Sequence, residues 1–139
     1  MAIAEVFGQL PAFVRFCLVG SLVFVFGSLV LFIEIHQLHF SPWLAQFPML
    51  ILSMTLSWLL NRWLTFRNPS GLALFREWLG FMAVNGLGAA ISAGVYTLVL
   101  FLTHKNGLMP YVALAMGTLV ALGWNYLGSR HLIWSGKRS

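Results

Sequence analysis

The chain has 139 residues, of which 60% are hydrophobic and only 8% charged, with a formal net charge of +5. A soluble domain carries about a quarter charged residues, so this chain lacks the polar surface to enclose a water-soluble core, and its length leaves no room for a soluble catalytic domain beside its apolar runs. The positive charge does not indicate nucleic acid, because the basic residues form no single run or helix face; they flank the apolar segments, as residues that orient a membrane protein do.

The residues up to Pro11 read as a short amphipathic lead-in. The apolar run from Phe13 to Ile33 exceeds the core of a secretory leader, about 7–15 residues. No small-residue cleavage pattern follows it, so it reads as the first transmembrane helix, over 13–35. Cys17 lies in this run; a lone cysteine forms no internal disulfide and reads as a small buried hydrophobe. Glu34, His36, Gln37, His39, Ser41 and Pro42 read as a polar loop, with Glu34 solvated at the helix end. Pro48 suits the first turn of a second helix over 47–66. Asn68, Pro69, Ser70 and Gly71 form a turn. A third helix runs over 74–102; Arg76 and Glu77 near its start suit an ion pair. After a loop from Thr103 to Pro110, a fourth helix covers 111–134 and a basic tail follows.

Spans near 20 apolar residues cross a bilayer as helices. The expected fold is therefore an all-α integral membrane protein of four transmembrane helices, a single domain over 1–139. Arg15, Arg62, Arg67, Arg76, Arg130, Lys137 and Arg138 lie on one side and Lys105 on the other. The positive-inside rule then puts both termini in the cytoplasm.

The second and fourth helices end in related sequences. Ser57–Phe66 is SWLLNRWLTF and Asn125–Trp134 is NYLGSRHLIW, at a constant offset (125 − 57 = 134 − 66 = 68). Leu59, Arg62 and Leu64 recur as Leu127, Arg130 and Leu132, and Trp58 and Phe66 recur as Tyr126 and Trp134. The chain is thus two parallel two-helix repeats, of the kind related by an axis along the membrane normal. Each copy sets an aromatic residue one turn before its arginine, Trp58 before Arg62 and Tyr126 before Arg130, beside a polar stripe, Ser57 and Asn61 or Asn125 and Ser129.

Two readings of the arginines are open. A guanidinium presents a fork of donors that matches a phosphate; equally, an arginine near a helix end anchors the helix at the membrane surface. Trp63, Phe66, Trp78, Tyr126 and Trp134 likewise fit either a binding site or an interfacial belt. Small residues at four-residue steps, Ala113, Gly117 and Ala121 on the fourth helix and Gly86, Ala90 and Gly94 on the third, predict close helix packing, as do Ser53, Ser57 and Asn61 on the second. No acidic residue lies mid-span, and no paired carboxylates, phosphate loop or Ser/His/Asp set is present. His36 and His39 alone make a weak metal signal. The expectation is a protein that is not an enzyme and holds no metal or cofactor.

The segments RFCLVG (Arg15–Gly20), LLNRWLTFR (Leu59–Arg67) and WNYLGSRHLIW (Trp124–Trp134) resemble the GtrA-like family of small bacterial four-helix membrane proteins. The chain departs from the family's pattern at Gly27, where many members carry a polar or acidic residue. The resemblance implies translocation of a polyprenyl-phosphate-linked sugar across the bacterial cytoplasmic (inner) membrane for cell-surface polysaccharide synthesis or modification. On that reading Arg62 and Arg130 hold the phosphate, assisted by Arg15. Asn61, Asn125 and Ser129 hydrogen-bond phosphate or sugar, and Trp58, Trp63 and Tyr126 face the sugar or isoprenoid. The alternative is a non-catalytic subunit that anchors or stabilises a glycosyltransferase. A small drug exporter fits the size but not the cationic rim. Four helices enclose little volume, so a homo-oligomer, a dimer, is expected.

Overall fold

The computed structural model describes residues 2–67, 70–103 and 108–135. The turn residues Asn68 and Pro69, the loop residues His104 and Lys105, and the tail residues Lys137 and Arg138 lie outside the described residues. The elements, in order, are α1 (Ala2–Gln9), α2 (Ala12–His36), α3 (Pro42–Leu60) continued by a π-helical turn (Asn61–Phe66), α4 (Leu74–Leu102), and α5 (Met109–Gly128) continued by a second π-helical turn (Ser129–Ile133). Four helices, α2 to α5 with their π turns, are long and apolar enough to cross a membrane, and no strand occurs among the described residues. The protein is an all-α, multi-pass membrane protein.

Hydrocarbon offers the backbone no water, so the helix, which pairs its own N–H and C=O groups, is the open-ended form available. Isolated hydroxyls obey the same rule. Ser21 and Ser28 on α2 donate to the carbonyls of Cys17 and Phe24 at 3.1 and 2.9 Å, and Thr97 on α4 donates to that of Ala93 at 2.8 Å. Large apolar side chains point outward: Phe24 is 75% exposed and Phe101 82%.

The bounds of α2 and α4 follow the sequence expectation. The start of α3 does not: it begins at Pro42 rather than near 47. Ser41 is its cap, accepting from the Leu44 N–H at 3.4 Å, and Pro42 occupies the first helical position, where its missing N–H is no loss. Pro48 therefore lies inside the helix. Glu34 is a second correction. Expected in solvent, it is only 6% exposed, because the turn after α2 folds back on it: Phe40 N–H donates to the Glu34 carbonyl at 2.9 Å and Leu38 N–H to that of Ile33 at 3.1 Å. Glu77, beside the exposed Arg76, is fully buried and accepts a hydrogen bond from Ser70.

The chain divides into two compact units, Met1–Pro69 and Ser70–Ser139. In the first, α2 packs on α3 and its π turn; in the second, α4 packs on α5 and its π turn. The two hairpins share their internal construction. Phe16 meets Phe66 edge-on, centroids 6.3 Å apart at 62°, and Phe81 meets Trp134 in the same way at 5.8 Å and 64°. Val19 and Val84, one turn further along α2 and α4, are both buried.

Glycine lets the paired helices close. A Cβ on Gly27 would stand 2.7 Å from Ser53 Oγ, and one on Gly117 would stand 2.6 Å from the Ser92 carbonyl oxygen. The stripe Ala113, Gly117 and Ala121 is buried as expected. The stripe Gly86, Ala90 and Gly94 is exposed, and nothing lies within 4 Å of where a Cβ would stand on Gly86 or Gly94. The line on α4 that meets α5 is instead Phe81, Val84, Gly88 and Ser92. Gly88 lies two positions beyond Gly86, which at 3.6 residues per turn sets them on nearly opposite sides of the helix.

Gly117→Ala is expected to cost about 1–3 kcal/mol, because its methyl meets a backbone carbonyl that cannot turn away. Gly94→Ala is expected to leave stability unchanged or slightly higher, since the position is open and alanine favours the helix. Thermal unfolding of the purified variants in one mild detergent compares them; equal losses would contradict the packing.

Candidate functional site

The second half of each sequence motif lies in a π turn. In the first, Asn61 and Thr65 point inward, 1% and 0% exposed, while Arg62 is half-buried and Trp63 is 66% exposed. In the second, Ser129 and Ile133 take the inward positions at 0% and 4%, and Arg130 is exposed. Each turn thus buries one residue, presents an arginine next, and buries again four residues after the first.

The first turn is tied by side chains. Asn61 Nδ2 donates to the Ser57 carbonyl at 2.9 Å and to Ser57 Oγ at 3.3 Å, and Thr65 Oγ1 donates to Asn61 Oδ1 at 2.7 Å. This ladder engages both ends of the Asn61 amide. The Asn61 side chain, expected to contact phosphate or sugar, is hydrogen-bonded within the helix. The segment stops at Arg67, whose φ of 57° is left-handed. The Arg67 guanidinium lies over Gly8 of α1, 2.8 Å from where a Cβ would stand.

The second turn closes through its backbone, Trp134 N–H donating to the Ser129 carbonyl at 3.1 Å. Its polar ladder stays open. Asn125 Oδ1 and Ser129 Oγ are buried without a hydrogen-bond partner among the described residues. Ile133 stands where Thr65 stands in the first turn (133 − 65 = 68), so a third polar rung is missing. Gly88 makes the room Asn125 occupies, since a Cβ there would overlap the Asn125 amide. Trp124 Nε1 donates to the Val84 carbonyl at 3.0 Å, locking the same stretch of α5 to α4.

The arginines keep aromatic company in both halves. The Arg62 guanidinium lies 5.7 Å from the centroid of the Trp63 ring, within cation–π range. Arg130 Nη1 donates to the Tyr126 hydroxyl at 3.3 Å, and Tyr126 is 8% exposed. Trp58 is half-buried. Arg15 is half-buried and immediately precedes Phe16, whose ring meets Phe66, so Arg15 belongs to the same end of the first hairpin as Arg62. Arg15, Arg62 and Trp63 therefore gather at one hairpin end, and Asn125, Tyr126, Ser129 and Arg130 at the corresponding end of the other.

Sequence reasoning missed Thr65 and Gly88, and read Glu34 as solvated where it is buried. Thr65 was detectable, one turn after Asn61 on the same polar stripe; Gly88 was hidden by the more regular Gly86 series. Among the described residues no three His, Cys, Asp or Glu side chains come together as metal ligands. His36 stacks on Phe32 at 4.4 Å, its Nδ1 3.1 Å from the Phe32 carbonyl.

The sequence model of the family described as "GtrA/DPMS, transmembrane domain" matches residues 15–134, from the first of these arginines to the aromatic corner that ends the second π turn. The chain belongs to this family. Membership in the GtrA/DPMS transmembrane family makes it a membrane protein of glycosyl-phosphate-polyprenol-related processes. No curated protein and no solved structure matches the chain.

Asn61→Ala removes the acceptor of a buried hydroxyl, Thr65, and is expected to destabilise the first hairpin by about 1–2 kcal/mol. Adding Thr65→Val removes the stranded hydroxyl and is expected to restore part of that loss. Thermal unfolding of wild type, both single variants and the double variant measures the coupling; strict additivity would show that the ladder is not an energetic unit.

Proposed function

We propose that this GtrA/DPMS-family protein translocates a polyprenyl-phosphate-linked sugar across the bacterial cytoplasmic membrane, and that it performs no bond chemistry itself. The observation that carries the reading is the repeated π turn, which presents an arginine beside an aromatic ring at the same end of each hairpin. Each turn is a separate anion-binding unit: the guanidinium attracts phosphate more strongly at a low-dielectric boundary than in water, and the neighbouring ring limits its motion.

Arg62 and Arg130 hold phosphate in this reading, with Arg15 assisting Arg62. Trp63 and Tyr126 offer ring faces beside them, and Trp58 adds a third. Asn125 and Ser129 supply hydrogen bonds to the sugar in this reading, as their oxygens have no hydrogen-bond partner among the described residues. The basic residues put the arginine ends and both termini on the cytoplasmic side, where the lipid-linked sugar is loaded. A homodimer widens the route, and a glycosyltransferase that makes the lipid-linked sugar is a fitting neighbour.

Reconstituted vesicles loaded with a polyprenyl-phosphate-linked hexose test the proposal. Losing a charge-assisted contact worth about 1.5–3 kcal/mol slows crossing roughly ten- to hundred-fold, so each of Arg62→Ala and Arg130→Ala is expected to slow it and the double variant to abolish it. Lysine at either position is expected to restore part of the rate, as a point charge without the fork. An unchanged rate in the double variant would sink this site. No crossing by wild type, together with stoichiometric capture of a glycosyltransferase, would favour the subunit role.

A further inference from the structure

Pro48 divides α3 unequally. It stands six residues beyond Pro42, where the helix begins. Proline has no N–H to pair with the carbonyl four residues back, here that of Leu44, and its ring crowds that carbonyl. Residues 42–47 are therefore joined to the rest of α3 by one backbone bond fewer than in an unbroken helix. At the other end of this segment the Ser41 cap is a long contact, 3.4 Å from the Leu44 N–H.

The packing differs on the two sides of Pro48. Towards the arginine end, Ser53 closes on Gly27: a Cβ on Gly27 would stand 2.7 Å from Ser53 Oγ. At the far end, Ala45 on α3 and Glu34 on α2 are buried, at 0% and 6% exposure. The two helices run antiparallel, since Phe16 meets Phe66 and Gly27 meets Ser53. Glu34 lies seven residues beyond Gly27, and Ala45 eight beyond Ser53 (34 − 27 = 7, 53 − 45 = 8). At 1.5 Å per residue both stand about 10–12 Å further along, at one level. Pro48 falls between this shut end and the Gly27–Ser53 contact. Beside it an open groove of about 350 Å3 follows α2 past Gly20, Phe24, Gly27 and Leu31, and α3 lines it through Met49 and Ser53. The hairpin is thus tight at two levels and loose between them, where the helix is interrupted.

The second hairpin lacks this construction. At the repeat offset of 68, Ala45, Pro48 and Met49 correspond to Ala113, Met116 and Gly117. The buried alanine is kept, at 0% exposure in both. The proline is replaced by methionine, and the proline of α5 lies in its first turn instead. Where the first hairpin has Met49, Gly117 closes directly on the Ser92 carbonyl. Trp124 then ties α5 to α4 through the Val84 carbonyl. One hairpin is built to stay shut along its length, and the other carries a break in the helix beside an unfilled space.

We infer that residues 42–47 form a gate at the end of the first hairpin away from the arginines, hinged at Pro48. The Gly27–Ser53 contact is its pivot, and the buried level of Glu34 and Ala45 is its shut position. Opening tilts the segment away from α2 and uncovers Ala45. The gate stands on the geometry of this hairpin alone and does not require the translocation reading; within that reading it is the way out, opposite the end where phosphate is held.

Thiol labelling in lipid nanodiscs, where both faces meet solvent, tests the hinge. Ala45→Cys, in a Cys17→Ala background, places a small reactive group at the buried level, and Leu44→Cys places one at the exposed neighbouring position. A water-soluble maleimide is expected to label Ala45→Cys slowly, through opening, and Leu44→Cys fast. Pro48→Ala restores the missing N–H and is expected to slow Ala45→Cys roughly ten-fold, the effect of one net hydrogen bond, while leaving Leu44→Cys unchanged. An Ala45→Cys rate that Pro48→Ala does not alter would overturn the inference. So would labelling of Ala45→Cys as fast as Leu44→Cys, or no labelling at all. Nitroxides on the exposed pair Ile33→Cys and Leu44→Cys read the same motion without touching a buried residue. Dipolar broadening is expected to show two spacings with Pro48 and one with alanine; a single spacing in both would also overturn it. Opening without sugar-lipid crossing would support the gate while refuting translocation, and crossing without opening would do the reverse.

Discussion

The close approach of paired helices is the contact on which the rest of this molecule depends. Lipid tails are as apolar as leucine, so helices gain nothing by hiding apolar faces from them; association needs backbones near enough for dense packing. Each hairpin achieves this with a glycine opposite a serine, and the two halves exchange the partners. In the first, Gly27 on α2 faces Ser53 on α3; in the second, Ser92 on α4 faces Gly117 on α5. The aromatic corners, Phe16 with Phe66 and Phe81 with Trp134, then set the rotation of each pair at the arginine end.

From that packing follows the position of the arginines. Each second helix presses its small residues against its partner and widens into a π turn at its end. Inside the turn, Asn61 and Thr65, or Ser129 and Ile133, occupy the packed side, and the residue after the first of each pair faces outward. That residue is Arg62 or Arg130. A π turn inserted in an α-helix often accompanies a functional position, and here it recurs in both copies of one motif. Arg62 rests by Trp63, the next residue, whereas Arg130 reaches back one turn to Tyr126. The same scaffold thus holds its two guanidinia through different aromatic neighbours.

The repeat, the number of spans and their approximate ends were legible in the sequence, because lipid-facing length and turn residues are local signals. The Leu74–Leu102 helix is an example: nothing in tertiary structure moves its ends. What was not legible depends on contacts. Ser41 and Pro42 look like loop residues until Ser41 is seen to cap α3. Gly86, Ala90 and Gly94 form the more regular stripe, yet Gly88 packs, because the rotation of α4 is chosen by Phe81, Val84 and Ser92. Glu34 reads as solvated from its place at the end of an apolar run; the fold-back of Leu38 and Phe40 buries it. Among the site residues, Asn61 and Ser129 read as equivalents, and only the side-chain geometry separates an amide hydrogen-bonded at both ends from a hydroxyl without a partner among the described residues.

That separation bears on why the halves differ. Ser57, Asn61 and Thr65 form a closed ladder, while Asn125 and Ser129 end against Ile133 with oxygens unpaired. The π turn, the inward and outward pattern and the edge-on ring contact are nevertheless the same in both. The ladder therefore does not make the turn; ring packing and backbone hydrogen bonds such as Trp134 N–H to the Ser129 carbonyl are enough. A polar stripe that the scaffold does not require is free to diverge after duplication. In the first hairpin it has become internal bracing. In the second it keeps unused hydrogen-bonding capacity in a medium where such capacity is costly. Thr65 has an apolar counterpart in Ile133, so the third rung is lost in the second hairpin, while Asn125 and Ser129 keep polar side chains whose oxygens have no hydrogen-bond partner among the described residues.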